Sequence, residues 1–164
     1  MLLWVTGPVA VGKSTFIKTL ERGGADVLYI GKALRAKYGE DFFTRLKNPG
    51  APEETDDEVA GMISRFVYGA VPRTASTRVV DGCPRNLRQV EWVRDFGGTV
   101  VWVNPPTDPV ERWSRIQARG GDAGLVKARL QTETNVLSAV YTKMVELGLP
   151  LITCSTEGAF RSHG

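Results

Sequence analysis

The sequence is short of the residues that build disulfide frameworks and zinc sites. It has two cysteines, Cys83 and Cys154, and one histidine, His163, among 164 residues. A structural zinc site needs four such ligands at close spacing, so these numbers argue against one. No export signal precedes the first motif, which favours two reduced thiols over a disulfide bridge.

The sequence also lacks long hydrophobic runs and a basic leader. Its apolar stretches are much too short to cross a bilayer, and Met1–Thr6 contains no lysine or arginine. We therefore expect a cytoplasmic protein with no membrane partner. The excess of positive charge is small, with 21 Lys and Arg against 18 Asp and Glu. This excess fits a protein that handles phosphates and equally one that touches nucleic acid.

What the sequence does contain is a regular alternation of strands and helices. The pattern predicts strands at residues 2–6, 27–30, 77–81, 99–103 and 150–154. It predicts helices at residues 13–22, 32–38, 56–70, 86–96, 107–118 and 123–147. Such alternation is typical of an α/β fold with a five-stranded parallel sheet covered on both faces.

The predicted elements form one domain that spans residues 1–164. No linker is long enough to divide the chain, and its length suits a single core. Helical material at about 31–70 is inserted between the second and third strands, and residues 155–164 form a polar tail. Within the insertion, Thr55 and Glu58 have the spacing of a capping box that would start the third helix.

Directly after the first predicted strand lies a phosphate-binding loop. Gly7–Ser14 matches G-x-x-x-x-G-K-[ST] at every position. In such a loop the backbone N–H groups and a helix N-terminus surround an anion, Lys13 supplies a positive charge, and Ser14 supplies a hydroxyl to Mg²⁺. The motif therefore predicts that ATP and Mg²⁺ bind here. The predicted nucleotide-binding residues are Gly7, Pro8, Val9, Ala10, Val11, Gly12, Lys13, Ser14 and Thr15.

A second motif follows the third predicted strand. Asp81 ends this strand and would lie at the carboxyl edge of the sheet, where parallel sheets bind ligands. At that edge it would bind Mg²⁺ together with Ser14. Arg85, in the loop that follows, would project toward the same cleft.

The run Asp81-Gly82-Cys83-Pro84-Arg85, with Gln89 four residues on, resembles the D-G-F-P-R motif of adenylate kinases and related nucleoside monophosphate kinases. The resemblance implies a P-loop kinase, a three-layer sandwich, in which Gly82 and Arg85 contact the acceptor nucleotide and Gln89 recognises its base. Cys83 replaces the phenylalanine of the family.

Two further segments resemble the same family. Gly31–Arg35 is similar to its T-G-D-L-L-R segment, which implies that Arg35 binds the acceptor phosphate, although Ile30 and Lys32 replace its threonine and aspartate. Arg115 and Arg119, on the helix that also carries Arg112, resemble the two arginines at the start of the family's lid. Arg129, on the next helix, resembles the arginine that completes the family's clamp around the phosphate. Gly120-Gly121-Asp122 leaves only a short lid at about 115–125.

These features predict an ATP-dependent phosphotransferase that acts on a nucleoside monophosphate or a similar nucleotide. An ionised phosphate acceptor needs no general base, so arginines suffice for catalysis. The predicted catalytic residues are Lys13, Asp81, Arg85, Arg115, Arg119 and Arg129.

Two other functions stay open on the sequence. A P-loop kinase could phosphorylate a hydroxyl of a nucleoside, a metabolite or a nucleic acid, with Asp81 as the base that removes the proton. A nucleotide-binding switch without turnover is the second alternative. The set of arginines argues against a switch, because a switch needs no clamp on an acceptor.

Overall fold

The fold was obtained as a computed structural model, and the residues that it describes contain five strands and five helices. These residues are 1–8, 12–39, 55–69, 76–104, 110–111, 114 and 123–155, with only the backbone helix described over 123–134. The strands are β1 (Leu2–Thr6), β2 (Asp26–Tyr29), β3 (Arg78–Asp81), β4 (Thr99–Asn104) and β5 (Leu151–Ser155). The helices are α1 (Lys13–Arg22), α2 (Ile30–Tyr38), α3 (Asp56–Tyr68), α4 (Leu87–Phe96) and α5 (Ala123–Glu146).

The strands form one sheet in the order β2-β3-β1-β4-β5, and every neighbouring pair is parallel. This confirms the predicted α/β architecture and its five-stranded parallel sheet. The bounds of β1 and α1 agree with the prediction, and those of the other described elements differ from it by two residues or fewer. The sheet is compatible with a P-loop nucleotide-binding fold.

Alternation along the central strands divides the core between the two faces of the sheet. Trp4 of β1 and Val80 of β3 belong to the apolar cluster that includes buried residues of α2, α3, α4 and α5. Leu3 and Val5 belong to a second cluster, which Ile17 of α1 completes. Burial on both faces explains why these strands are apolar throughout.

The predicted capping box at the start of α3 is wrong. Thr55 occupies the N-cap position, but its side chain makes no capping hydrogen bond. The Glu58 carboxylate instead accepts hydrogen bonds from Lys37 and Tyr38 of α2. The glutamate that the motif would use at the helix end therefore ties α3 to α2.

Several predicted features fall wholly or partly outside the described residues. They include the middle of the insertion at 40–54, most of the helix at 107–118, most of the lid at 115–125 and the tail from 156 onward. Among the described helices, none has the length and hydropathy needed to cross a membrane. The cytoplasmic location stays a prediction.

Gly7 makes a close backbone approach at the carboxyl edge of the sheet. Its φ is +145°, and a Cβ placed there would lie 2.4 Å from the carbonyl oxygen of Val103 at the end of β4. Side-chain-bearing residues rarely adopt such a φ, and the neighbouring backbone leaves no room for a methyl group. Glycine is therefore required for the chain to turn from β1 into the loop.

We expect Gly7→Ala to lower the free energy of unfolding by about 2 to 4 kcal/mol, because backbone strain and a steric clash add. Gly148→Ala is the matched control. Its φ of +64° is also positive, but a Cβ there would meet nothing within 4 Å. It should cost only about 1 to 2 kcal/mol. Urea denaturation of both variants measures the difference, and equal losses would contradict the close approach at Gly7.

Candidate functional site

Strand pairing brings the two sequence motifs to the same edge of the sheet. Val5 of β1 is the register partner of Asp81 in β3, and Tyr29 at the end of β2 is its partner on the other side. The backbone N–H of Gly82 donates to the carbonyl of Val5 at 2.8 Å, which extends this pairing past the end of β3. Asp81 thus lies beside the point where β1 runs into the phosphate-binding loop.

The phosphate-binding loop leads into α1 at Gly12, the N-cap residue, whose backbone is left-handed with a φ of 91°. Lys13 is the first residue of α1, and its ammonium donates to the backbone carbonyls of Gly7 and, at 3.2 Å, of Pro8. The lysine is therefore folded back over the loop that it follows. Ser14 and Thr15 are exposed in the first turn of α1. Val9, Ala10 and Val11 lie outside the described residues.

Asp81 is the carboxylate of this edge, and two cations act on it. Burial raises its pKa above the ordinary aspartate value, while the positive charges of Lys13 and Arg85 act in the opposite direction. Those interactions mean that the three side chains share one electrostatic environment. The structure thus brings together three residues that the sequence predicted to be catalytic.

The loop that carries Arg85 is attached at both ends. The hydroxyl of Thr6, buried at the end of β1, donates to the carbonyl of Pro84 at 2.9 Å. The backbone N–H of Arg85 donates to the side-chain oxygen of Gln89 at 2.8 Å. Arg85 is therefore held by β1 on one side and by α4 on the other.

Gln89 is buried, with 1% of its surface exposed. Its oxygen accepts from Arg85, and its amide nitrogen donates to Oδ1 of Asp56 at 3.0 Å. Asn86 caps α4 by accepting from the Gln89 backbone N–H, and its amide nitrogen lies 3.4 Å from both carboxylate oxygens of Asp56. Both ends of the Gln89 side chain are therefore bonded within the protein.

Asp56 and Asn86 are the site-forming residues that sequence reasoning missed. They lie 30 residues apart along the chain, so no local pattern could join them. The one signal in the sequence was that Asp56 begins a helix. The next two residues, Asp57 and Glu58, are also acidic, so this position did not single out Asp56. Burial raises the pKa of Asp56, while hydrogen bonds from Gln89 and Asn86 act against that rise.

Two other predicted acceptor residues, Arg35 and Gly82, lie in the described part of the chain. Arg35 is exposed on α2, and Gly82 is partly buried beside Asp81. Ile30, which replaces the family's threonine, is 6% exposed and belongs to the core. Arg112, Arg115 and Arg119 lie outside the described residues, and Arg129 falls within α5 where only the backbone is described.

The donors at this edge fit Mg²⁺ bound together with a nucleotide. Magnesium takes one or two protein oxygens and completes its octahedron with phosphate oxygens and waters. Ser14 and Asp81 offer a hydroxyl and a carboxylate at this edge. In the part of the chain that the structure describes, no group of three histidine, cysteine, aspartate or glutamate side chains could hold a metal ion. Magnesium bound through two protein oxygens needs no such group.

Comparison with known proteins gives one curated relative at low identity. The chain is 30% identical over 125 residues to UPF0200 protein MK0400 of Methanopyrus kandleri. The match takes in 73% of this chain, and the chain spans 62% of the relative's length. No family model matches the chain. The relation is therefore weak homology to a UPF0200 protein, and the resemblance to adenylate kinases stays a prediction.

The burial of Asp81 makes a testable prediction about stability and pH. Because its pKa is raised in the folded state, folded protein keeps this proton to higher pH than the unfolded chain does. The contribution of Asp81 to the free energy of unfolding therefore falls as pH rises from the ordinary value of 3.8 through the raised one. Asp81→Asn removes this contribution, so the variant should gain stability over wild type between pH 4 and pH 7.

Denaturant unfolding at about pH 4 and about pH 7 measures this gain. Glu91→Gln, a change at an exposed position of α4, is the surface control. If the stability of Asp81→Asn relative to wild type stayed constant or fell toward neutral pH, the burial of Asp81 would be contradicted.

Proposed function

We propose that this protein is an ATP-dependent phosphotransferase that moves the γ-phosphoryl group of ATP to a nucleoside monophosphate or a similar nucleotide. One observation carries the proposal: β1 pairs with β3, so the phosphate-binding loop and the loop that carries Arg85 leave the same edge of a parallel sheet. At that edge the charges of Lys13 and Arg85 lower the pKa of the Asp81 carboxyl against the effect of burial. Donor and acceptor phosphates need such a set of charges on one side of a sheet.

Phosphoryl transfer between two phosphates is mainly a problem of alignment and charge. The acceptor is already ionised, so the protein has to orient two anions and neutralise the charge that spreads over the moving group. The loop at Gly7–Ser14 and the N-terminus of α1 would bind the phosphates of ATP, with Lys13 leaving its carbonyl partners to contact them. Magnesium, held by Ser14 and Asp81, would supply positive charge between those phosphates.

The acceptor would lie on the side of Arg85. The hydrogen bonds that fix the loop at Pro84 and Arg85 support a fixed phosphate contact there, since an arginine held at its backbone loses less freedom on binding. Arg35 is the proposed second contact. Arg115, Arg119 and Arg129 are proposed to bind the moving phosphoryl group, on the resemblance alone.

Transfer to a hydroxyl is the second candidate, and the electrostatics of Asp81 favour it. A hydroxyl must lose its proton during transfer, and a carboxylate with a raised pKa is a better base than an ordinary one. The acceptor would then be a nucleoside, another metabolite or a nucleic acid. The burial of Ile30 and the internal hydrogen bonds of Gln89 are compatible with this candidate, because they leave base recognition without its expected residues.

A parallel assay with radiolabelled ATP and Mg²⁺ tests both candidates. The acceptors are ribo- and deoxyribonucleoside monophosphates, the matching nucleosides and duplex DNA. We expect labelled nucleoside diphosphate. Lys13→Ala should lower kcat/KM by about 100-fold or more, since it removes a charge aimed at the transferred group. Lys18→Ala, an exposed lysine on the same helix, should change it by less than about twofold.

Transfer of the label to a nucleoside or to DNA, with no transfer to nucleoside monophosphates, would favour the second candidate over the first. Binding to DNA that weakens steeply with salt would support the nucleic-acid form of the second candidate. ATP hydrolysis that no acceptor increases would overturn both.

A further inference from the structure

We propose that Asp56 is a positioning residue for Arg85 and that it acts through Gln89. The inference rests on the proposed function, because the value of Arg85 lies in binding the acceptor phosphate. It gives Gln89 a role different from the base recognition that its motif implies. Three buried polar side chains and their hydrogen bonds carry the argument.

The hydrogen bonds form a chain from α3 to the Arg85 backbone. Oδ1 of Asp56 accepts from Nε2 of Gln89 at 3.0 Å, and Oε1 of Gln89 accepts from the N–H of Arg85 at 2.8 Å. An ionised carboxylate can only accept, so Asp56 forces the nitrogen end of the amide toward itself. The oxygen end must then face Arg85. Asp56 thereby sets the one amide orientation in which Gln89 can hold the Arg85 backbone.

Burial makes the opposite orientation of the Gln89 amide unfavourable. Asp56, Asn86 and Gln89 are 2%, 3% and 1% exposed, so their polar groups depend mainly on partners within the protein. A flipped amide would place its NH₂ group against the Arg85 N–H and its oxygen against the carboxylate. Both contacts would be repulsive, and the buried groups would lose their partners.

The surroundings of Asp56 keep the carboxylate in place. Asn86 lies 3.4 Å from both of its oxygens, and Nη1 of Arg88 lies 3.9 Å from Oδ2. Arg88 is itself held by Asp57 at 2.7 Å. A buried carboxylate with amide donors and a nearby guanidinium is better placed to stay charged than an isolated one.

The proposal separates positioning from base recognition. Reading a base would require Gln89 to release Arg85, Asp56 or both. If Gln89 positions Arg85, substitutions at positions 56 and 89 weaken the binding of all acceptor nucleotides to the same extent, whatever their base. The reason is that Arg85 contacts the phosphate that all of them share. If Gln89 reads the base, the same substitutions change the ranking among bases.

A swap of the acid and the amide tests the chain of contacts. Gln89→Glu places a second carboxylate against Asp56 and should raise the acceptor KM by about tenfold, with the KM of ATP within about twofold of wild type. In the double variant Asp56→Asn with Gln89→Glu, the new asparagine donates to the new glutamate, whose other oxygen again accepts from Arg85. The acceptor KM should return to within about threefold of wild type. Asp56→Asn alone conserves volume and should fold if Gln89→Glu does not.

The unliganded protein gives a second readout that needs no turnover. Amide hydrogen exchange at Arg85, measured by NMR, should be faster in Gln89→Glu and should slow again in the double variant. If the wild type phosphorylates no monophosphate, the proposed function fails, while this exchange measurement still decides whether Asp56 acts on Arg85. A changed base ranking, an equal rise in the KM of ATP, or unchanged exchange at Arg85 in Gln89→Glu would overturn the proposal.

Discussion

The parallel pairing of β1 with β3 is the constraint on which the candidate site depends. It sets Val5 opposite Asp81, so the chain leaves β1 for the phosphate-binding loop beside the strand that ends in the carboxylate. Two motifs more than 60 residues apart in the sequence thus meet at one edge. The pairing is central in the sheet and buried on both faces, so the core of the protein sets the position of Asp81 relative to the end of β1.

Two carboxylates near this edge differ in their burial and in their partners. Asp81 is partly exposed beside two cations and is therefore suited to a metal or a substrate. Asp56 is more deeply buried and is surrounded by amide donors, so it orders its neighbours. Burial raises the pKa of both, and in each case the surrounding donors or cations act against it. The proposed site would thus combine a carboxylate available for chemistry with one that orders its neighbours.

Local patterns predicted the elements well and the contacts between distant elements poorly. The apolar run of β1 and the periodicity of α1 were readable because the residues of each element are neighbours in sequence, and the predicted bounds of both agree with the structure. The capping box failed because Lys37 and Tyr38, from another helix, take the Glu58 carboxylate. The hydrogen bond between Gln89 and Asp56 could not be predicted either, since the two residues lie 33 positions apart. The resemblance to adenylate kinases identified the residues of the loop that carries Arg85. It did not indicate the hydrogen bonds from Thr6 and to Gln89 that hold this loop.

The most direct test of the account is a crystal structure with Mg²⁺ and a non-hydrolysable ATP analogue. The account predicts the triphosphate within the loop at residues 7–14, with the Lys13 ammonium moved from the carbonyls of Gly7 and Pro8 onto phosphate oxygens and Asp81 on the magnesium side. A triphosphate bound elsewhere, or a lysine that keeps both carbonyl contacts in the complex, would contradict it.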